Sequence, residues 1–349
     1  GMDTVIAGQG DHQVMGDHGE LTYQTNGILT QAKSSSTAGD ADSITLDDGD
    51  NVIIAGLGAD GVSTGDGEEY IIGDSGEINW SNGQLDSITS TDTALGGDDT
   101  VHTGNGDKTL VGGIGNDNLQ AGTGHHDVIG DNGNLSYEAG NLSEISTTPT
   151  NLGGNLGGDD SIVLGDGDNN IITGVGDDTI TTANGTDQIL ADNGNLVFDS
   201  QTGILQTANS VEDTLGGDDT LLLGDGDKVV IAGIGNDSVT TGNGNHHVLG
   251  DHGNLIYQED GILQQAVNSS TSGGNDYISL NVSGDGDNIV ITGAGSDTLL
   301  TGNGEDYVLA DHGELNFVDG IITSGSSSDI TEGGDDNLNL GDGNKLVIA

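Results

Sequence analysis

The 349-residue chain has no cysteine, one proline and only four lysine and arginine residues together. Its aromatics amount to one Trp, six Tyr and two Phe. Without cysteine, no disulfide framework can hold it together. Scarce proline, with glycine that does not recur at every third position, rules out a collagen helix. So few basic residues cannot form the positive footprint that nucleic acid requires, so nucleic acid is not an expected partner. No run of about 18 apolar residues exists, which excludes a transmembrane helix, and membrane insertion is not expected.

What is present is acid and glycine. The chain has 58 Asp and Glu, 65 Gly and a formal net charge of −54. Low hydrophobicity with large net charge is the signature of disorder. It also suits a repeat protein whose charges are neutralised by bound cations. Periodicity separates the two. One hexapeptide recurs as GDHGEL at 16–21, GDSGEI at 73–78, GDNGNL at 130–135, ADNGNL at 191–196, GDHGNL at 250–255 and ADHGEL at 310–315. Its spacings are 57, 57, 61, 59 and 60 residues. The chain therefore reads as one continuous tandem array, 1–349. Its units are approximately 3–35, 36–92, 93–150, 151–210, 211–269, 270–328 and a partial 329–349. The Gly1-Met2 pair departs from the pattern, and the array reads as a piece of a longer one, with neighbouring repeats as its partners.

Within each unit a nine-residue period runs. Apolar residues fall at 162, 171, 180, 189 and 198, at 44, 53, 62, 71 and 80, and at 221, 230, 239, 248 and 257. A disordered acidic chain holds no such phase. The best nonamers are Gly112-Gly113-Ile114-Gly115-Asn116-Asp117-Asn118-Leu119 and Gly233-Ile234-Gly235-Asn236-Asp237-Ser238-Val239. The pattern Gly-Gly-x-Gly-x-Asp-x-apolar-x marks a calcium-binding parallel β-helix. On these residues the chain resembles the RTX, or haemolysin-type, calcium-binding repeat family over nearly its whole length. The resemblance implies an all-β fold: a right-handed parallel β-roll, or β-helix solenoid, of nonapeptide repeats. Two nonamers would form each turn, with Gly-rich turns at both edges and Ca2+ between successive turns. Calcium takes 6–8 oxygen ligands from carboxylates and carbonyls, which fits the residue types.

Five nonamers, a to e, are clear in each unit. The Asp slot of a is filled by Asp42, Asp99, Asp160, Asp219, Asp276 and Asp336. That of c is filled by Asp3, Asp60, Asp117, Asp178, Asp237 and Asp297. With two nonamers per turn these share one edge, and neighbouring a and c residues can grip one ion. The b slot reads Asn51, Lys108, Asn169, Lys228, Asn288, Lys345, and the d slot His12, Glu69, His126, Asp187, His246, Asp306. Both alternate, so the true repeat spans two units. Asn51/Glu69, Asn169/Asp187 and Asn288/Asp306 are expected to bind calcium. Lys108/His126 and Lys228/His246 are not; there the ammonium could lie against the turn carbonyls as a built-in cation, or point to solvent. No His pair has helical metal-site spacing. No local catalytic signature is present, so the chain is not expected to be an enzyme.

The e nonamer carries Leu or Ile in place of Asp, and its core position is aromatic: Tyr23, Trp80, Tyr137, Phe198, Tyr257, Phe317. An Asp precedes its glycine by two: Asp17, Asp74, Asp131, Asp192, Asp251, Asp311. It could complete a site with the c nonamer or only stabilise a turn. After the aromatic comes a Gly-containing turn and a second apolar pair, as in Tyr23-Gln-Thr-Asn-Gly27-Ile28-Leu29. That predicts a hairpin, or a widened turn, interrupting the roll once per ~59-residue unit. A Ser/Thr-rich connector follows, and Pro149 lies in one. About 18 turns spaced about 4.8 Å apart would make a rod on the order of 85 Å long.

The functional expectation is an extracellular calcium-binding module that folds on binding Ca2+. It would serve as an extender or spacer, secreted or at the cell surface, in a large adhesin-like protein. The resemblance implies export through a type I secretion system. Two other readings stand beside it: an adhesive module binding a glycan or surface ligand, and the repeat tail of a secreted RTX toxin or enzyme. An ice-binding face is not expected, because the residues between the glycines (Gln9, Leu57, Ile114, Val175) form no uniform row.

Overall fold

The computed structural model describes residues 1–35, 38–91, 94–147, 157–211, 214–268, 273–328 and 333–349. Pro149 lies outside them. Among the described residues there are strands and no helix. The strands form three 12-stranded sheets, two parallel and one antiparallel.

The two parallel sheets arise from the nonamers. In one unit the chain runs through Ser43–Leu46, Asn51–Ile54, Gly61–Ser63 and Glu69–Ile72. The first and third lie in the outer sheet, the second and fourth in the central sheet. Each unit thus adds two rungs to a solenoid. Apolar residues stack in register up the rungs, as in Val62↔Val101 and Leu119↔Ile162. Parallel β-roll architecture is what the resemblance of the nonamers implies.

The segment after the aromatic is a hairpin. Gly76–Ser81 pairs antiparallel with Gln84–Ser90 through Asn82-Gly83. Both tip residues have positive φ, 54° and 79°, as a two-residue type I′ hairpin turn requires. The hairpin does not interrupt the roll. Successive hairpins pair with one another into the third sheet, which covers the central one.

The cause lies in the apolar doublets of the central strands. Successive strand residues face opposite sides. Ile53 and Ile71 point into the core against the outer sheet. Ile54 and Ile72 point the other way, into a second core with hairpin residues Ile78, Ile88 and Leu135. A sheet apolar on both faces needs a cover on each. Outer strands alternate instead, with Ile44 and Leu46 inward and Ser43 and Thr45 outward. The aromatics sit beside register shifts in the hairpins, between Ser136 and Tyr137 and between Asn316 and Phe317. From there Trp80 meets Tyr70 edge-on at 6.3 Å and Phe317 meets Tyr307 at 5.7 Å.

Because each unit spends part of its length on the third sheet, 12 strands stack per parallel sheet rather than the 18 turns expected. At about 4.8 Å per rung the stack is on the order of 55 Å long. Ile88 is fully buried between the central and hairpin layers. Ile88→Ala is expected to lower unfolding free energy by about 2–5 kcal/mol, read from denaturant titration.

Candidate metal centre

On the first edge, the a and c aspartates form one continuous ladder. The backbone N–H of Asp42 donates to Asp60 Oδ1, that of Asp60 to Asp99, and that of Asp99 to Asp117. The chain of bonds continues through Asp160, Asp178, Asp219, Asp237, Asp276 and Asp297 to Asp336, and Asp3 begins it by donating to Asp42. All twelve expected residues of this edge are therefore brought together.

Each carboxylate from Asp42 to Asp336 uses one oxygen in the ladder. The other oxygen, Oδ2, is buried without a hydrogen-bond partner among the described residues in each ladder residue from Asp42 to Asp297. Buried polar atoms are nearly always paired, so a whole row of orphans calls for a missing partner. Burial first, then neighbouring carboxylates, pushes the Asp99 carboxyl up to about 10 and the Asp219 carboxyl up to about 11. In Asp60 and Asp237, burial raises the carboxyls to about 6 and about 8 against the pull of a backbone N–H.

The hairpin aspartates join this edge. Asp74 Oδ2 accepts the N–H of Ile114 at 2.6 Å, and Asp131 and Asp192 do the same for Val175 and Ile234. This is a turn-stabilising role. Yet Oδ1 of Asp74, Asp192 and Asp251 is buried with no hydrogen-bond partner among the described residues. Burial raises the Asp74 carboxyl to about 9, with Asp117 and Asp60 adding to the rise. His252 reaches Asp192 Oδ2 at 3.1 Å, a contact between units that spacing alone did not reveal.

Glycine keeps the space beside the orphans open. A Cβ on Gly73 would lie 2.2 Å from Asp99 Oδ2 and 2.6 Å from the Gly112 carbonyl oxygen. On Gly112 it would meet Asp117 Oδ2 and the Gly130 carbonyl, both at 2.3 Å. Carboxylate and carbonyl oxygens thus converge on the bare side of the glycine. An all-oxygen set is what a hard cation such as Ca2+ takes. Among the described residues, no group of three or more His, Cys, Asp or Glu side chains could hold a metal ion. A cation on this edge would draw on main-chain carbonyls for much of its coordination.

The second edge is built differently. Asn51 and Asn169 donate Nδ2–H to the carbonyls of Gly49 and Gly167, at 2.9 and 3.0 Å. His126 and His246 lie with Nε2 at 3.0 and 3.2 Å from the carbonyls of Gly122 and Gly242. Burial lowers the pKa of both rings. Lys108 donates to the carbonyls of Gly67 and Asn105 and pairs with Glu69 at 2.5 Å. Lys228 pairs with Asp187 at 3.0 Å, and Lys345 with Asp306 at 2.6 Å. The ammonium does lie against the turn carbonyls, and it does not point to solvent.

This placement alters the view of Asn51/Glu69, Asn169/Asp187 and Asn288/Asp306. The Asn and acid are rung neighbours, as expected; Asn169 Nδ2 is 2.8 Å from Asp187 and Asn288 Nδ2 is 2.9 Å from Asp306. Each acid, however, already holds an ammonium from its other side. The lysine follows the acid by about 40 residues, across the hairpin, beyond the reach of the 18-residue spacing.

No protein-family model matches the chain, and no characterised protein or solved structure matches it.

Two outcomes are expected. First, the carboxyls of Asp60, Asp237 and Asp99 lie above the ordinary value of 3.8, at about 6, 8 and 10. A carboxyl raised on folding stabilises the fold below its unfolded pKa and loses that contribution as pH rises through its folded value. In chelator, circular dichroism should show more β structure at pH 5 than at pH 9. Second, Lys108→Met strands a buried carboxylate. It should lower stability by about 3–5 kcal/mol in thermal or denaturant melts.

Proposed function

We propose that the chain is an extracellular calcium-binding structural module that folds as it binds Ca2+. The carrying observation is the unbroken row of buried, half-satisfied carboxylates on one edge. On the opposite edge Asn and His hydrogen-bond the turn carbonyls and Lys pairs with the acids. On this reading the ions sit along the Asp3–Asp336 edge, with Asp74 and its equivalents contributing oxygens. The three Asn/acid pairs of the second edge are lesser candidates, since each acid has its lysine.

The physics supports a switch. Without cation, carboxylates about 5 Å apart repel, and the compact state is disfavoured. A cation that binds only the folded chain adds its binding free energy to folding. A protein that meets calcium only outside the cell would stay unfolded until then. That agrees with the type I export implied by the RTX resemblance. Stacked sheets with in-register cores suit a stiff spacer in a large adhesin-like protein, and the reading assigns no catalysis.

The test is a calcium titration followed by circular dichroism, with magnesium as control. β signal should grow with calcium and far less with magnesium. A chain whose spectrum ignores calcium would overturn the proposal. Gly112→Ala, which places a methyl where Asp117 Oδ2 and the Gly130 carbonyl converge, should reduce the calorimetric calcium count. An unchanged count would move the ions away from that cradle.

A further inference from the structure

Where the central sheet meets the hairpin sheet, one row of side chains lies just beyond the second edge. In rung order it reads Gln13, Val52, Tyr70, Thr109, Asp127, Asn170, Gln188, Val229, His247, Ile289, Tyr307 and Leu346. At Val52, Tyr70, Val229, Ile289 and Tyr307 the residue is apolar or aromatic and packs in the seam. His247 stacks on Tyr257 at 5.7 Å, and Tyr307 packs on Phe317. Four consecutive rungs break this rule, with Thr109, Asp127, Asn170 and Gln188. There a cleft of about 700 Å³ opens between the sheets.

Its chemistry is one-sided. Glu68, Asp107, Asp127 and Asp168 line it, with Tyr70, Tyr137 and Phe198 from the seam. Against four carboxylates stands one imidazole, His125, whose Nε2 lies 3.4 Å from Asp127, a contact that pushes its pKa up to about 9. Lys108 reaches the cleft only with its stem, because its ammonium is turned inward to Glu69. The acids do not stand alone. Asn170 is 3% exposed; its Nδ2 donates to Asp127 at 2.8 Å, while its Oδ1 is buried with no partner. Among the described residues no donor reaches that acceptor.

We propose that this cleft binds a linear cation carrying several ammonium groups, a free polyamine or a lysine-bearing peptide segment. Carboxylates accept hydrogen bonds and cannot donate them. Ammonium supplies donors alone, and it is drawn to the faces of Tyr and Phe rings. The acids Glu68, Asp107 and Asp168 lie over four rungs, roughly 14 Å at about 4.8 Å each, which favours an extended chain over a compact ion. A neutral sugar would match the aromatics and amides but leave the excess charge unmet.

The cleft lies away from the aspartate ladder, so this inference and the calcium reading fail separately. The test is calorimetric titration of the full chain, at saturating calcium and physiological salt, with a linear tetraamine, a tetralysine peptide and a neutral linear tetrasaccharide. One saturable site for an amine is expected. Binding of the tetraamine alone assigns a free polyamine; preference for tetralysine assigns a basic segment. Thr109→Val with Asn170→Ile fills the cleft as Val229 and Ile289 do elsewhere, with no change in charge. It should weaken binding at least about tenfold. Asp107→Asn with Asp168→Asn keeps the oxygens that cap His125 and Thr186, and should weaken it comparably. Equal amine binding by the filled variant would mean diffuse attraction to a polyanion and would overturn the proposal. So would no amine binding, or tighter binding of the sugar.

Discussion

Stacking identical turns places oxygen against oxygen at every rung, and that constraint governs the rest of the molecule. Turn carbonyls and edge side chains are buried as soon as a neighbouring rung covers them, so each must find a donor or a cation. The two edges answer in opposite ways. On the second, Asn, His and Lys bring N–H groups to the carbonyls of Gly49, Gly122 and Gly67. On the first, every slot is an acceptor. From Asp42 to Asp297, one carboxylate oxygen takes the preceding rung's N–H, and the other has no partner among the described residues.

The third sheet belongs to the same logic. Its packing follows from apolar doublets such as Ile71-Ile72, which need cover on both faces. The loop that begins each hairpin also carries Asp74 or its equivalent. That residue leaves the hairpin layer to cap the N–H of Ile114, in a turn of the first edge. A cation held there would touch oxygens belonging to all three layers. Folding of roll and hairpins would then be one event, not a roll with decorations.

Much of this was legible in the sequence, for identifiable reasons. The nine-residue phase places Ile44, Ile53, Val62 and Ile71 in one core because each strand offers it one residue per rung. Asn82-Gly83 announces its turn through the positive φ that both residues accept. The layer that the hairpins form was less legible. Its signal, the second apolar residue in Ile53-Ile54, falls outside the nine-residue phase. The Glu69–Lys108 pair was hidden because a hairpin of variable length separates residues that are rung neighbours. The cleft was hidden for the same reason. Thr109, Asp127, Asn170 and Gln188 become a contiguous polar break only when the rungs are aligned.

The balance of charge leaves the first edge without a basic side chain. The chain has four lysine and arginine residues, all of them lysine. Lys108, Lys228 and Lys345 are held by Glu69, Asp187 and Asp306, and Lys33 is held by Glu77 on the hairpin sheet. Each basic side chain is thereby committed to an acid outside the aspartate ladder. Of the histidines, His252 reaches the hairpin aspartate Asp192, whose carboxyl burial raises to about 6, below the value of about 9 for Asp74. The protein thus has no lysine or arginine side chain left to meet the carboxylates between Asp42 and Asp297. They must take up protons, which costs the chain its ionised form at neutral pH, or cations from solution. A sequence that places Asp at every a and c slot, and commits its lysines to other acids, makes the first edge depend on what the solvent provides.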